Sequence, residues 1–455
     1  TALALARHGE RVTLLEQDAL GVADGPEAAF AAERRGAPQV HQTHGFLARL
    51  QVSLRDQFPD VFDELLRAGC TTMQTTAELG DPQPEDEDLK VIIVRRTTLE
   101  WVLRRAVLQE QAVEVTTGRA VAGLVVTPGP PPVVTGVRMR DGSVMEADMV
   151  VAATGRRSPL PSWLARAGVE VPEKVRESGL MYMSRWYHLP PDRQIELDPK
   201  LGGDLGFVKY LGVPGDGDTL SVTLAIRSDD TDLRVALGDD RRFDHACRIL
   251  PGPDRFFRKG PLEPIGGVRP MGGLLNRVRR FTGEDGPLVL GFHAVGDAHT
   301  CTNPLYGRGC SLAVVQALLL RQALADHPDD PAARAAAYEA ACQREITPWY
   351  EVSVQMDRLG ADPAGFSAGG GADGGAGGKA MAAVMAAAAT DPVIGRGLLK
   401  FWNLMTTPAE LAADAIFLAR VGEVMADPDR YPLERPDGPS RDELLEALHT
   451  TEDAA

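Results

Sequence analysis

The sequence holds little cysteine, no long apolar run and fewer basic than acidic side chains, and each shortage removes a class of protein. Five cysteines, at positions 70, 247, 301, 310 and 342, form neither a C-x-x-C pair nor a regular framework. A disulfide scaffold is therefore excluded, and a reducing, cytoplasmic setting is the simplest expectation. No stretch reaches the roughly 18 consecutive apolar residues that a membrane-spanning helix requires, and no charged-then-apolar leader opens the chain. With 48 Lys+Arg against 64 Asp+Glu, the formal net charge of -16 disfavours nucleic acid and anionic membranes as principal partners. His41 and His44 stand three apart on an expected helix, but no third ligand lies at metal-binding spacing. No metal site is expected. No Ser-His-Asp set and no paired carboxylates are legible as a chemical engine, so no catalytic residue is assigned.

What the chain does have is length and one ordered constellation. Its 455 residues, 44% of them hydrophobic, call for two or three joined domains. From Leu288 the order is a short apolar run to Gly291, an acidic turn Gly296-Asp297-Ala298, the loop Asn303-Pro304-Leu305-Tyr306-Gly307-Arg308-Gly309, and an apolar helix. A carboxylate at a strand end accepts hydrogen bonds from ligand hydroxyls. Gly307 and Gly309 let the N–H groups of a helix start come close to a polar, anionic ligand. This is the layout of a cofactor site.

The first residues read as a helix closed by Gly9 and a strand, Arg11 to Glu16, that ends in an acid. That is the second half of a βαβ unit, in which such an acid takes ribose hydroxyls, and Glu16 is placed for the role. The preceding strand and glycine loop are expected just before Thr1. Gly369, Gly371 and Gly374 match G-x-G-x-x-G by letter only. No buried strand precedes them, so the run 368–378 reads as a flexible loop.

Between these anchors the chain alternates in type. A strand at 91–94 leads to an amphipathic helix from Arg96 to Val107. Strands at 121–126 and 133–140 and an Asp141-Gly142 turn predict a hairpin, followed by a strand at 149–153 and a Gly155 turn. The stretches 181–187, 206–211 and 219–226 have the period-two character of an antiparallel sheet. Alanine-rich helices are expected at 329–344, 379–389, 398–405 and 408–425. Their apolar positions, Met381, Val384, Met385, Leu398, Leu399, Phe401 and Trp402, either pack internally or cover a hydrophobic ligand.

The order Gly-Asp-Ala, Asn-Pro, two residues, Gly-x-Gly, then Ser-Leu-Ala resembles the second flavin fingerprint of the FAD-dependent aromatic hydroxylase superfamily. The resemblance implies that Asp297 binds the ribityl chain of FAD and that Pro304, Gly307 and Gly309 border its ring. Arg96, at the head of its helix, matches an arginine near the cofactor. Thr154-Gly155-Arg156 is similar to a third signature, linked to FAD and to nicotinamide handling. Ala152 and Thr154 replace the acids of its two common versions. Glu33-Arg34-Arg35, followed by His41 and His44, resembles a stretch running beside the flavin; it implies that Arg35 neutralises cofactor phosphate and that His44 faces the flavin or the active-site mouth. The family's substrate floor lies on its sheet, where Tyr182, Trp186 and Tyr210 are candidates. No W-x-W-x-I-P signature is present, which disfavours the halogenating branch.

The resemblance implies an α/β fold: a Rossmann-like FAD-binding domain (1–178 and 285–328), an inserted antiparallel β-sheet substrate domain (179–284) and a C-terminal helical subdomain or lid (329–455). It implies an FAD-dependent monooxygenase, a hydroxylase or epoxidase. NAD(P)H would be the reductant, O2 the co-substrate and a flavin C4a-hydroperoxide the oxygen donor to an apolar or aromatic small molecule. An FAD-dependent reductase of an isoprenoid-like double bond and a non-catalytic flavin-fold binding protein are the alternatives.

Overall fold

The computed structural model describes residues 1–194, 201–361, 376–433 and 437–450. The chain opens with α1 (Ala2–Ala6), whose Leu3 and Leu5 are buried, and β1 (Val12–Glu16). Helices α2 (Pro26–Ala31), α3 (Ala48–Gln57) and α4 (Pro59–Arg67) lead to the antiparallel pair β2 (Thr71–Gln74) and β3 (Lys90–Ile93). Helix α5 (Arg96–Gln109) then delivers β4 (Val113–Thr117), which pairs in parallel with β1 from Val12↔Val113 to Glu16↔Thr117. Leu50, Leu54, Leu65, Leu99 and Val102 close a core among α3, α4 and α5.

The expected hairpin is a three-stranded meander of β5 (Val121–Thr127), β6 (Val133–Met139) and β7 (Val144–Glu146), with Gly142 at φ +87° in its turn. Strand β8 (Val150–Ala152) and helix α6 (Leu160–Ala165) follow. Next come β9 (Glu173–Glu177) and a five-stranded antiparallel sheet of β10 (Leu180–His188), β11 (Gly202–Asp204), β12 (Val208–Gly215), β13 (Thr219–Arg227) and β14 (Pro264–Met271), in the order β11-β12-β13-β10-β14. Between β13 and β14 the chain forms α7 (Thr231–Leu237), α8 (Asp240–Ile249) and α9 (Asp254–Phe257). These three helices, absent from the sequence reading, bury one face of the sheet through Leu233, Phe243, Cys247 and Phe256 against Met183, Tyr187 and Leu224.

Strand β15 (Leu275–Arg279) pairs with β9, and a small hairpin, β16 (Thr282–Gly283) with β17 (Gly286–Pro287), leads to β18 (Phe292–Ala294). Leu288–Gly291, expected as the strand, is not one. Gly291 turns at φ +64°, with its backbone against the Val134 carbonyl, so the ladder to β8 begins only at Phe292↔Val150. The two-residue β19 (Thr300–Cys301) joins β15, and α10 (Gly309–Asp326) begins after the glycine loop.

The residues after α10 pack in three places. Helices α11 (Pro331–Glu345) and α12 (Thr347–Ala361) lie against α10 and β15, burying Tyr338, Cys342 and Trp349. The helices Ala376–Ala387, Pro392–Trp402 and Ala415–Ala426 form their own cluster around Val384, Ile394, Phe417 and Val424. Phe401 turns away to Trp349, with ring centroids 5.1 Å apart. Met381 and Met385 remain exposed. The final helix, Arg441–Thr450, inserts Leu444 and Leu448 into the core beneath the five-stranded sheet. Gly369, Gly371 and Gly374 lie outside the described residues.

Candidate active site

After β18, Gly296 takes φ +58° and its N–H donates to Gln316 Oε1 at 2.7 Å, anchoring a single 3₁₀ turn that presents Asp297. Burial pushes the Asp297 carboxyl above its usual range, opposed by the guanidiniums of Arg96, Arg156 and Arg277. A second 3₁₀ turn, Pro304–Tyr306, ends at Gly307 with φ +65°. A Cβ there would lie 3.0 Å from the Gly45 carbonyl oxygen, so the glycine serves both the turn and the approach to the 45–47 segment. Around Gly309 a Cβ would meet nothing within 4 Å, and no side chain caps α10. The first N–H groups of an 18-residue helix thus stand uncapped beside open space.

Arg96 opens α5. Its Nε donates to Glu100 Oε1 at 2.9 Å, one turn on, and its Nη1 reaches Cys310 Sγ in the first turn of α10. Glu100 also accepts from Arg34 Nη1 at 2.7 Å. Burial works to raise the Glu100 carboxyl, but Arg96 and Arg34 outweigh it and hold the group low. Arg34 in turn stands 3.8 Å from Glu16 Oε2, at the end of β1. Alternating charges therefore run from Glu16 through Arg34, Glu100 and Arg96 towards Asp297.

Other expected residues fall as follows. Gly155 turns at φ +69° beside Arg156, with nothing within 4 Å of its Cβ position. Arg35 is exposed and forms no hydrogen bond or ion pair among the described residues, and its neighbour Arg34 is the one turned inward. His41 and His44 do not share a helix: His41 ends a 3₁₀ turn and His44 lies in the loop beyond it. His44 stacks on Phe46 and its Nδ1 lies 2.9 Å from the Gln42 carbonyl; burial, with Arg96 nearby, pushes its pKa down to about 4.

Tyr182 and Trp186 alternate with Ser184 on the sheet face turned towards this region. The Tyr182 hydroxyl donates to Asn303 Oδ1 at 2.7 Å, and Trp186 Nε1 donates to the His41 carbonyl at 2.6 Å. Tyr210 pairs with Leu224 on the opposite face and is buried under α7 to α9. Around Tyr182, Leu180, Ala225, Met271, Leu274 and Leu305 form an apolar patch beside the Pro304 turn. Arg34, Glu100 and Cys310 were missed as site members, although the i,i+4 spacing of Arg96 and Glu100 was a usable signal.

The fold is shared with solved structures of flavin-dependent enzymes. Among solved structures, PqsL of Pseudomonas aeruginosa, titled "a probable FAD-dependent monooxygenase", is 18% identical with a TM-score of 0.58, covering 80% of this chain and 94% of that one. The flavin-dependent brominase Bmp2 is 17% identical, with a TM-score of 0.61 and coverage of 95% and 96%. The p-nitrophenol 4-monooxygenase PnpA of Pseudomonas putida is 16% identical, with a TM-score of 0.59 and coverage of 89% and 94%. In sequence, Protein Rv3254 of Mycobacterium tuberculosis is 27% identical over 345 residues, covering 69% of this chain and 68% of its own length. No family model matches the chain.

Proposed function

We propose that this chain is an FAD-dependent oxidoreductase, a monooxygenase of an apolar or aromatic small molecule with NAD(P)H as reductant. The observation that carries the reading is the convergence of Asp297, Arg96 and the uncapped start of α10 on one place. The charged chain leads from there to Glu16 at the end of β1. Those groups suit the parts of FAD: Glu16 for the ribose hydroxyls, Arg34 with Arg35 for phosphate, Asp297 for the ribityl hydroxyls, and Pro304, Gly307 and Gly309 for the ring. Bound FAD would supply electron transfer from a nicotinamide and activation of dioxygen. The protein's part is to bind, orient and keep water out. The apolar patch around Tyr182 and Leu305 suits an apolar substrate face. His44, with its pKa near about 4, is uncharged at neutral pH and can hydrogen-bond there without adding a charge. PqsL is known in complex with 2-aminobenzoylacetate and PnpA is named for p-nitrophenol, which supports an aromatic substrate.

The first test is the visible spectrum of purified protein after desalting from excess FAD. A retained flavin spectrum is expected; a colourless protein that shows no shift on FAD titration refutes the assignment. In a protein that binds FAD, Asp297→Ala is expected to weaken binding by about 1–3 kcal/mol, by leaving ligand hydroxyls unpaired. Unchanged affinity would remove Asp297 from the site.

A further inference from the structure

A buried ring of hydrogen bonds ties the flavin-side loop to a residue that no fingerprint includes. Asp357, on α12, is 7% exposed. Its Oδ1 accepts from Asn303 Nδ2 at 2.8 Å and from the Tyr306 hydroxyl at 2.7 Å, and its Oδ2 accepts from Asn276 Nδ2 at 2.6 Å. The ring closes because Asn276 Oδ1 accepts from the Asn303 N–H at 2.8 Å. Asn303 Oδ1 is then free to take the Leu305 N–H and the Tyr182 hydroxyl. One carboxylate thus orders both polar side chains of the Asn303–Gly307 loop and, through them, β10 and β15.

We infer that Asp357 is the positioning residue of this loop, so that α12, outside the glycine-rich motif, sets the geometry of the flavin ring's border; the link to flavin rests on the function proposed above. The role requires an acceptor with no proton of its own. Three donors meet Asp357, and neither asparagine can rotate its amide without opposing another donor. A facing charge is present as well. Arg308 lies between Tyr306 and Trp349, with its guanidinium 4.8 and 5.1 Å from the two ring centroids, and among the described residues its side chain bonds only Ser353 and Met356. Its charge and that of Asp357 support each other in a buried setting.

The ring makes an unusual prediction about exchange of residues. In D357N the new amide nitrogen faces Asn276 Nδ2, donor against donor. In the double variant D357N/N276D the acceptor moves across the ring. The carboxylate, now on β15, would accept from the new amide on α12 and from the Asn303 N–H. The carbonyl oxygen of that new amide would keep the bonds from Asn303 Nδ2 and the Tyr306 hydroxyl. Every bond is restored with the negative charge on the other side of the ring.

The test compares wild type, D357N and the double variant in two readouts. In FAD-free protein, amide exchange at Leu305 and Gly307 is expected to quicken by roughly tenfold or more in D357N, the scale of one buried donor left unpaired. It should return to within about threefold of wild type in the double variant. The FAD dissociation constant should move in the same pattern. Unchanged exchange in D357N, or a folded double variant that recovers nothing, overturns the inference. If D357N does not fold, a double variant that folds with wild-type exchange supports it and one that also fails overturns it. If wild-type protein binds no FAD, the proposed function falls while the exchange result still decides the role of Asp357 in the loop.

Discussion

At the scale of single residues, the two loop glycines do different work. Gly307 sits at φ +65° with its would-be Cβ 3.0 Å from the Gly45 carbonyl oxygen. An alanine there meets the left-handed penalty of about 1–2 kcal/mol and a tight contact, so Gly307→Ala is expected to lower the stability of FAD-free protein by about that amount in urea unfolding. Gly309 has open space around its Cβ position. Gly309→Ala should leave FAD-free stability within about 0.5 kcal/mol, since no neighbour is displaced, while lowering FAD affinity if that space belongs to the ligand. Equal effects of the two variants on stability would show that the loop does not discriminate between strain and access. The turn at Gly307 was legible in sequence because it is fixed by local backbone chemistry. Asp357 was not, because its partners lie 51, 54 and 81 positions away and nothing near it in sequence marks it.

At the scale of elements, one buried contact joins the antiparallel sheet to the charged cluster. Arg95, the residue before α5, is 1% exposed and grips Asp216 in the β12–β13 turn. Asp216 Oδ1 accepts the Arg95 N–H at 2.6 Å, and Oδ2 accepts Nη2 at 2.8 Å and the Thr98 hydroxyl at 2.6 Å. Arg96 follows directly on α5, so the turn that fixes Arg95 also fixes the start of the helix that carries Arg96. Asp216→Ala leaves a buried guanidinium, stacked over the Phe30 ring, with the exposed Glu27 as its one ion-pair partner among the described residues, and is expected to cost about 3–5 kcal/mol in chemical unfolding. Glu27→Gln, at the surface end, should cost about 1 kcal/mol or less. A mild Asp216→Ala would mean that the sheet is not anchored by this turn. Hydrophobic periodicity revealed β10, β13 and α5, whose patterns are strong. It missed α7 to α9, where short helices interrupt a strand-rich stretch, and α12, which opens on Thr347-Pro348-Trp349-Tyr350. The strand β18 was misplaced by one turn because Gly291 looks like the end of a run and is instead the bend before it.

For the whole molecule, acid is the condition that tests how the interior is charged. Burial pushes the pKa of His293 down to about 3, with Arg334 adding to the effect, and His293 is 4% exposed against Tyr338. His44 falls to about 4, and His41 is lowered as well. Each folded pKa lies below the unfolded value of about 6.5, so the native state binds fewer protons and its stability is complete above that pH. It then declines as pH falls towards the folded values. Asp297 and Asp357 have the opposite sign, because burial raises both above the unfolded carboxylate range. Their protonation favours the native state as pH falls through their raised values, so they offset part of the histidine effect. Between pH 6.5 and pH 5 each histidine that is protonated only in the unfolded state costs about 1.4 kcal/mol per pH unit. Unfolding free energy measured in urea is expected to fall by about 2 kcal/mol over that interval from His293 alone. His293→Leu should remove that share and flatten the slope even if its stability at pH 7 is lower. A variant that keeps the wild-type slope would place the acid-sensitive proton elsewhere, with the buried His44 the next group to replace.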